Sequence, residues 1–99
     1  MTTAELAYAA GIIDGEGHIT MPGHRVALGV GVNNTDERLI EWLNERWPGR
    51  LYTYPPNGNR QALYCWTLRR DGSIEFLRAI LPYLVIKRET AEAALWCYV

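Results

Sequence analysis

Apolar positions recur along this chain with two different periods, and the alternation between them lays out the elements. Residues Leu6 to Ile13 are almost wholly small or aliphatic, which reads as a short helix. Thr2 or Thr3 can cap it, with Glu5 in the first turn, and Gly15 and Gly17 are expected to stop it. On a helical projection Ala7, Ala10, Gly11 and Asp14 share one stripe about 100° wide, with Leu6, Ala9 and Ile13 opposite. A face so bare of bulk suits close approach of another backbone, or equally a snug fit beneath a sheet. His18–Met21 and Arg25–Asn33 then read as strands joined by a turn at Pro22-Gly23. In the second, Val26, Leu28, Val30 and Val32 alternate with Arg25, Ala27, Gly29, Gly31 and Asn33. Such alternation means one buried face and one open face. The open one is nearly without side chains, either to receive something bulky or for reasons of internal fit.

The period returns to helical at Thr35-Asp36-Glu37, with Asn34 or Thr35 as cap and Leu39, Ile40, Leu43 and Trp47 as the core stripe. Pro48-Gly49 ends that helix. Arg50–Tyr54 and Gln61–Arg70 read as two more strands around the turn-rich loop Pro55–Asn59. In the later strand Tyr64, Trp66 and Leu68 face inward, leaving Gln61, Leu63, Cys65, Thr67 and Arg69 on the open side. A third helix opens at Asp71-Gly72-Ser73 and carries Ile74, Leu77, Ile80 and Leu81 until Pro82 interrupts it. A last helix, from about Leu84 or Lys87, carries Ala91, Ala94, Leu95 and Tyr98. The order α-β-β-α-β-β-α-α predicts an α+β fold with an antiparallel sheet, in a single domain over residues 1–99.

Composition excludes several classes. At 48% hydrophobic the chain is globular rather than disordered. No apolar run is long enough for a membrane span, and the N-terminus lacks the pattern of a signal peptide. A cytoplasmic setting, or a nucleoid or organelle matrix, is expected rather than secretion. Cys65 and Cys97 have no metal-type spacing and read as free thiols. The net charge of −1 argues at first against nucleic acid. Its distribution argues the other way. Residues 17–35 and 46–70 contain no acid and hold Arg25, Arg46, Arg50, Arg60, Arg69 and Arg70, while all eleven acids lie elsewhere. If the two acid-free segments share a surface, that surface can face phosphates.

Ala9–Gly17, AAGIIDGEG, resembles the LAGLIDADG motif that names a family of homing endonucleases. Ala10, Gly11, Ile13, Asp14 and Gly17 match it letter for letter. Ile12 replaces Leu, Gly15 replaces Ala, Ala9 stands for Leu, and Glu16 stands where the family usually has Asp. The element order is the family's too, and Leu81–Leu95, LPYLVIKRETAEAAL, resembles its second recurrent signature. The resemblance implies an αββαββα fold whose curved sheet forms a saddle on the DNA major groove. It implies a homodimer on double-stranded DNA, with no membrane and no small-molecule cofactor. The motif helices would meet at a twofold axis through Ala7, Ala10, Gly11 and Asp14. The activity implied is site-specific cleavage of both strands at a long, near-palindromic site, of the kind that mobilises introns or inteins.

By the same resemblance Glu16, with the carbonyl of Gly15, is the ligand of Mg²⁺ or another divalent cation such as Mn²⁺. Hard cations of this kind neutralise charge on a phosphoryl group and activate water. Lys87, Arg38 and Asn34 occupy polar positions around the attacking water, although Arg38 could instead pair with Glu41 or Glu45. Asp14 is expected to bond backbone groups near the helix end, of its own or of the partner chain. His18, Thr20, Arg25, Asn33, Arg50, Tyr52, Gln61, Thr67 and Arg69 are the expected DNA contacts. The competing reading is a protein of the same fold without cleavage, acting as a DNA-binding regulator or an RNA splicing maturase. A pure binder has no need to hold Glu16 and Lys87 against phosphate.

Overall fold

A computed structural model of the chain describes residues 1–97. Helix α1 spans Thr3–Glu16 and begins in a capping box: Thr2 accepts from the Glu5 backbone while Glu5 reaches back to the Thr2 backbone. Strand β1 follows at once, at Gly17–Thr20, and β2 at Gly29–Asn34. Helix α2 (Glu37–Arg46) leads to β3 (Arg50–Tyr54), β4 (Leu63–Arg69) and α3 (Asp71–Ile80). A 3₁₀ turn at Leu81–Tyr83, started by Pro82, separates α3 from α4 (Arg88–Trp96). The expected order is the observed one; Tyr98 lies outside the described residues. Among those residues no helix is long and apolar enough to cross a membrane.

The strands form one antiparallel sheet in the order β1-β2-β4-β3. All the helices lie against one face. The core between the layers holds Ile13, Val30, Val32, Leu43, Trp66, Phe76, Leu77 and Ile80, each fully buried or nearly so. Aromatic rings brace it edge to face: Trp47 and Trp66 both meet Phe76, and the Trp66 indole N–H donates to the Trp47 carbonyl at 2.9 Å. Among the described residues the opposite sheet face carries no helix, which leaves exposed side chains such as His18, Thr20, Arg50, Tyr52 and Arg69 available to a partner.

Several local expectations change. The helix does not stop at Gly15 but runs through Glu16, and Gly17 caps it from an extended conformation. A Cβ at Gly17 would lie 2.8 Å from the Ile13 backbone, so the close turn from helix to strand requires glycine there. Asp36, rather than Asn34 or Thr35, caps α2, its carboxylate accepting from the Arg38 backbone. The second strand starts at Gly29, not Arg25. Gly23 and Val26 instead close a tight turn, with Arg25 at φ 62°. The fourth strand begins at Leu63, which leaves Gln61 in the loop.

Candidate active site and nucleic-acid interface

The end of α1 carries the chemistry, and two carboxylates there have different fates. Asp14 turns back onto its own chain. Its oxygens accept the backbone N–H groups of Val85 (2.8 Å), Ile86 (3.1 Å) and Lys87 (2.9 Å). The Lys87 ammonium in turn donates to the Asp14 carbonyl at 2.9 Å, where the negative end of the helix favours a cation. Partial desolvation pushes the Asp14 carboxyl upward. The three N–H donors and the Lys87 charge outweigh it, and the group is held below its ordinary value of 3.8. Asp14 therefore fastens the turn at residues 85–87 to the foot of α1, as its expected backbone role required.

Glu16 is exposed. Its Oε2 accepts from the Asn34 side-chain amide at 2.5 Å. Asn34 Oδ1 accepts from the Asp36 backbone N–H at 2.7 Å, which fixes the amide with its NH₂ toward Glu16. Asp36 continues the chain by pairing with Arg38 through Nε (3.0 Å) and Nη2 (2.7 Å). That ion pair holds the Asp36 carboxyl at about 2 and raises the Arg38 guanidinium. Arg38 thus reaches Glu16 only through Asp36 and Asn34. Its partner is Asp36 rather than Glu41 or Glu45, and its side chain is 88% exposed.

Oxygen donors at this point are few but suited to a hard cation. Among the described residues no group of three or more His, Cys, Asp or Glu could hold a metal ion. One chain offers the Glu16 carboxylate and the Gly15 carbonyl. In the last helical turn Gly17 takes the Ile12 and Ile13 carbonyls and Lys87 takes that of Asp14. The Gly15 carbonyl accepts no hydrogen bond among the described residues, an orphan such as helix ends leave. One carboxylate and one carbonyl match a small divalent cation that keeps water and phosphate in its remaining positions.

The open sheet face brings the expected contact residues together. Register places His18, Gly31, Thr67 and Arg50 in one row across the four strands. Thr20, Gly29 and Arg69 form the next row, and Asn33, Cys65 and Tyr52 the row on the other side. A depression of about 400 Å³ is lined by His18, Asn33, Arg50, Tyr52, Tyr54, Cys65, Thr67 and Arg69. A second, of about 320 Å³, shares His18, Thr67 and Arg69 and extends to Thr20 and Arg25. Gln61 lies on neither. Tyr54, which by alternation shares a face with Arg50 and Tyr52 but is not among the expected DNA contacts, meets Tyr52 edge to face with centroids 4.7 Å apart. Alternation from Tyr52 was the available signal for it. Cys65 is a buried free thiol, raised by desolvation, and Cys97 is free and exposed. Arg46 departs from the acid-free face altogether: it pairs with Glu5 at 2.7 Å and lies over the Trp42 ring.

The small-residue stripe of α1 also shifts in phase. Ala10 is fully buried within its own chain, beside Ala9 and Ile13, so it cannot meet a second subunit. Asp14 is occupied by its own backbone partners. The exposed stripe runs instead through Ala4, Ala7, Gly11 and Gly15, and a Cβ added at Gly11 or Gly15 would meet nothing within 4 Å.

No protein-family model and no curated protein matches the chain. Solved structures do. The homing endonuclease I-CvuI, in complex with the I-CreI target in the presence of Mg, aligns with a TM-score of 0.71 and 20% identity, over 94% of this chain and 64% of that one. The archaeal intron-encoded homing endonuclease I-Vdi141I, complexed with DNA, gives 0.68 and 16%, over 90% and 63%. The LAGLIDADG meganuclease I-AabMI, bound to uncleaved DNA, gives 0.62 and 19%, over 94% and 36%. The chain spans less than two thirds of each of these relatives, by those coverages. At such identities the likeness is one of architecture. Sheet order, helix placement and the motif helix ending in Glu16 together give this chain the fold of the LAGLIDADG homing endonucleases.

Proposed function

We propose that this chain is one subunit of a homodimeric, divalent-metal-dependent endonuclease that cuts duplex DNA at a long, near-palindromic site. The observation that carries this reading is Glu16: an exposed carboxylate, steered by Asn34, at the border of an acid-free sheet face lined by Arg25, Arg50 and Arg69. A carboxylate beside a phosphate-binding surface opposes binding unless it serves a cation. Bound by Glu16 and the Gly15 carbonyl, Mg²⁺ or Mn²⁺ would offset charge on the phosphoryl oxygens and lower the pKa of a water. The solved structures held with DNA support duplex binding, and one of them was held with Mg, its DNA uncleaved, which is consistent with use of a divalent metal.

The chain's own residues supply the rest. Asn34 holds one Glu16 oxygen and leaves the other free, and its own orientation comes from the Asp36 N–H. Arg38 is a positioning residue that acts through Asp36. Lys87 uses one ammonium proton on the Asp14 carbonyl and has two more with which to orient water. The arginines of the open face set the register on the backbone, while Asn33, Tyr52 and Thr67 reach base edges. Residues 1–99 hold one candidate metal carboxylate, cutting two strands takes two, and the second is assigned here to another copy of this domain. The bare α1 stripe through Ala7, Gly11 and Gly15 is where that copy packs.

The test is selection and cleavage on a randomised duplex library with Mg²⁺, beside Glu16→Gln. Wild type is expected to cut a selected site and Glu16→Gln to bind it with cleavage reduced at least a hundredfold. Selective binding without any cleavage by wild type would overturn the enzyme reading in favour of a DNA-binding regulator. Equal cleavage by Glu16→Gln would overturn the metal assignment.

A further inference from the structure

Gly31 stands in β2 between His18 of β1 and Thr67 of β4. A Cβ built on it would come within 2.6 Å of both Cε1 and Nε2 of His18, and its three nearest atoms all belong to that ring. The imidazole therefore fills the space that a side chain at position 31 would take. It leans from the edge strand over the middle of the open face. The ring lines both depressions there, and neither ring nitrogen has a hydrogen-bond partner among the described residues. A polar ring with both nitrogens unspent is thus held in place by a missing side chain on the neighbouring strand.

We propose that Gly31 is the seat of His18, and that His18 seated there reads one base pair of each half-site by donating an N–H to a guanine in the major groove. The proposal rests on the DNA-binding reading above. Three observations favour a base over a phosphate. The ring lies over the inner strand β2, whereas a phosphate contact calls for reach toward the groove wall. Arg50 and Arg69 flank the same depression and already offer the charge that phosphates require. Contact with Gly31 also limits the ring's rotation before any ligand arrives, which lowers the entropy cost of a directional bond. Guanine follows from donor chemistry. An imidazole N–H is a donor, and guanine alone presents two adjacent acceptors, N7 and O6, on its major-groove edge. Because β1 continues directly from Glu16, the base pair read is one close to the cut.

The experiment is selection by binding from a randomised duplex library with Ca²⁺, using the full chain as wild type, His18→Ala, Gly31→Ala and the double variant. Wild type should enrich guanine at one position of each half-site. His18→Ala should lose that preference by a factor on the order of ten while keeping the others. Gly31→Ala should displace the ring and lose the same preference, and the double variant should match His18→Ala. The double variant also removes the clash, so it separates lost reading from lost folding. An unchanged profile for His18→Ala, a loss spread evenly over all positions, guanine retained in Gly31→Ala, or additive losses would each overturn the proposal. If wild type enriches no sequence, the DNA-binding reading fails and this inference with it. If wild type enriches a site and His18→Ala enriches the same one, only this inference fails.

Discussion

Asp14 is a carboxylate whose two oxygens are already occupied, by three backbone N–H groups 71 to 73 positions away in sequence. That occupation has a pH signature. A carboxyl held below its ordinary value contributes stability that is fully present above 3.8 and is lost as pH falls through the lower, folded-state value. Replacing it by Ala removes three charge-assisted bonds and should cost about 2 kcal/mol at pH 7. Urea unfolding of wild type and Asp14→Ala at a series of pH values checks this. The gap between them should be constant from pH 7 to about 5 and shrink below 3.8; a gap of the same size at pH 2.5 would show that the carboxylate charge is not what fastens the turn. The local backbone role of Asp14 was legible from the motif. The identity of its partners was not, because no spacing rule links a helix end to a turn so far along the chain.

Helix α1 has to serve two surfaces at once, and its composition hides which residues serve which. With Ala, Gly and Ile on every side, the boundary between buried and open faces leaves no sharp hydrophobic period. The helical period therefore puts Ala10 on the open stripe, although it is fully buried, and makes Gly15 a stop signal, although it lies inside the helix on the open stripe. Helix α2 was far easier to read, since Ile40 and Leu43 stand out against charged neighbours. The corrected stripe makes a prediction at this scale. Gly11 has open space around it, so Gly11→Leu should fold, and should gain up to about 1 kcal/mol because glycine is a poor helix former. The added bulk should nevertheless prevent two helices from meeting. Sedimentation should then give the mass of one chain for the variant and of two for wild type; a dimeric variant would sink the α1 interface.

Across the whole molecule, sheet alternation was the most readable signal. Val30, Val32, Trp66 and Leu68 point to the core, and the opposite positions to the open face. Charge was readable in kind but not in detail. The acid-free run 46–70 starts with Arg46, which the helix still holds and which faces Glu5 rather than the sheet. The strand order has a further consequence, in time rather than space. Within the outer pairs, β1 with β2 and β3 with β4, the chain returns after a short loop. The central β2–β4 ladder instead joins residues from 30 positions apart, Asn34 with Tyr64, to 40 apart, Gly29 with Arg69. It can close only after α2 and β3 have been spanned, and closing such a loop costs entropy before its contacts repay it. The β2–β4 seam is thus the expected rate-limiting event of folding. Val32→Ala should slow folding in denaturant-jump kinetics by most of its effect on stability, whereas Ala94→Gly in α4 should chiefly speed unfolding. If Val32→Ala alters only the unfolding limb, the two hairpins meet after the barrier has been crossed.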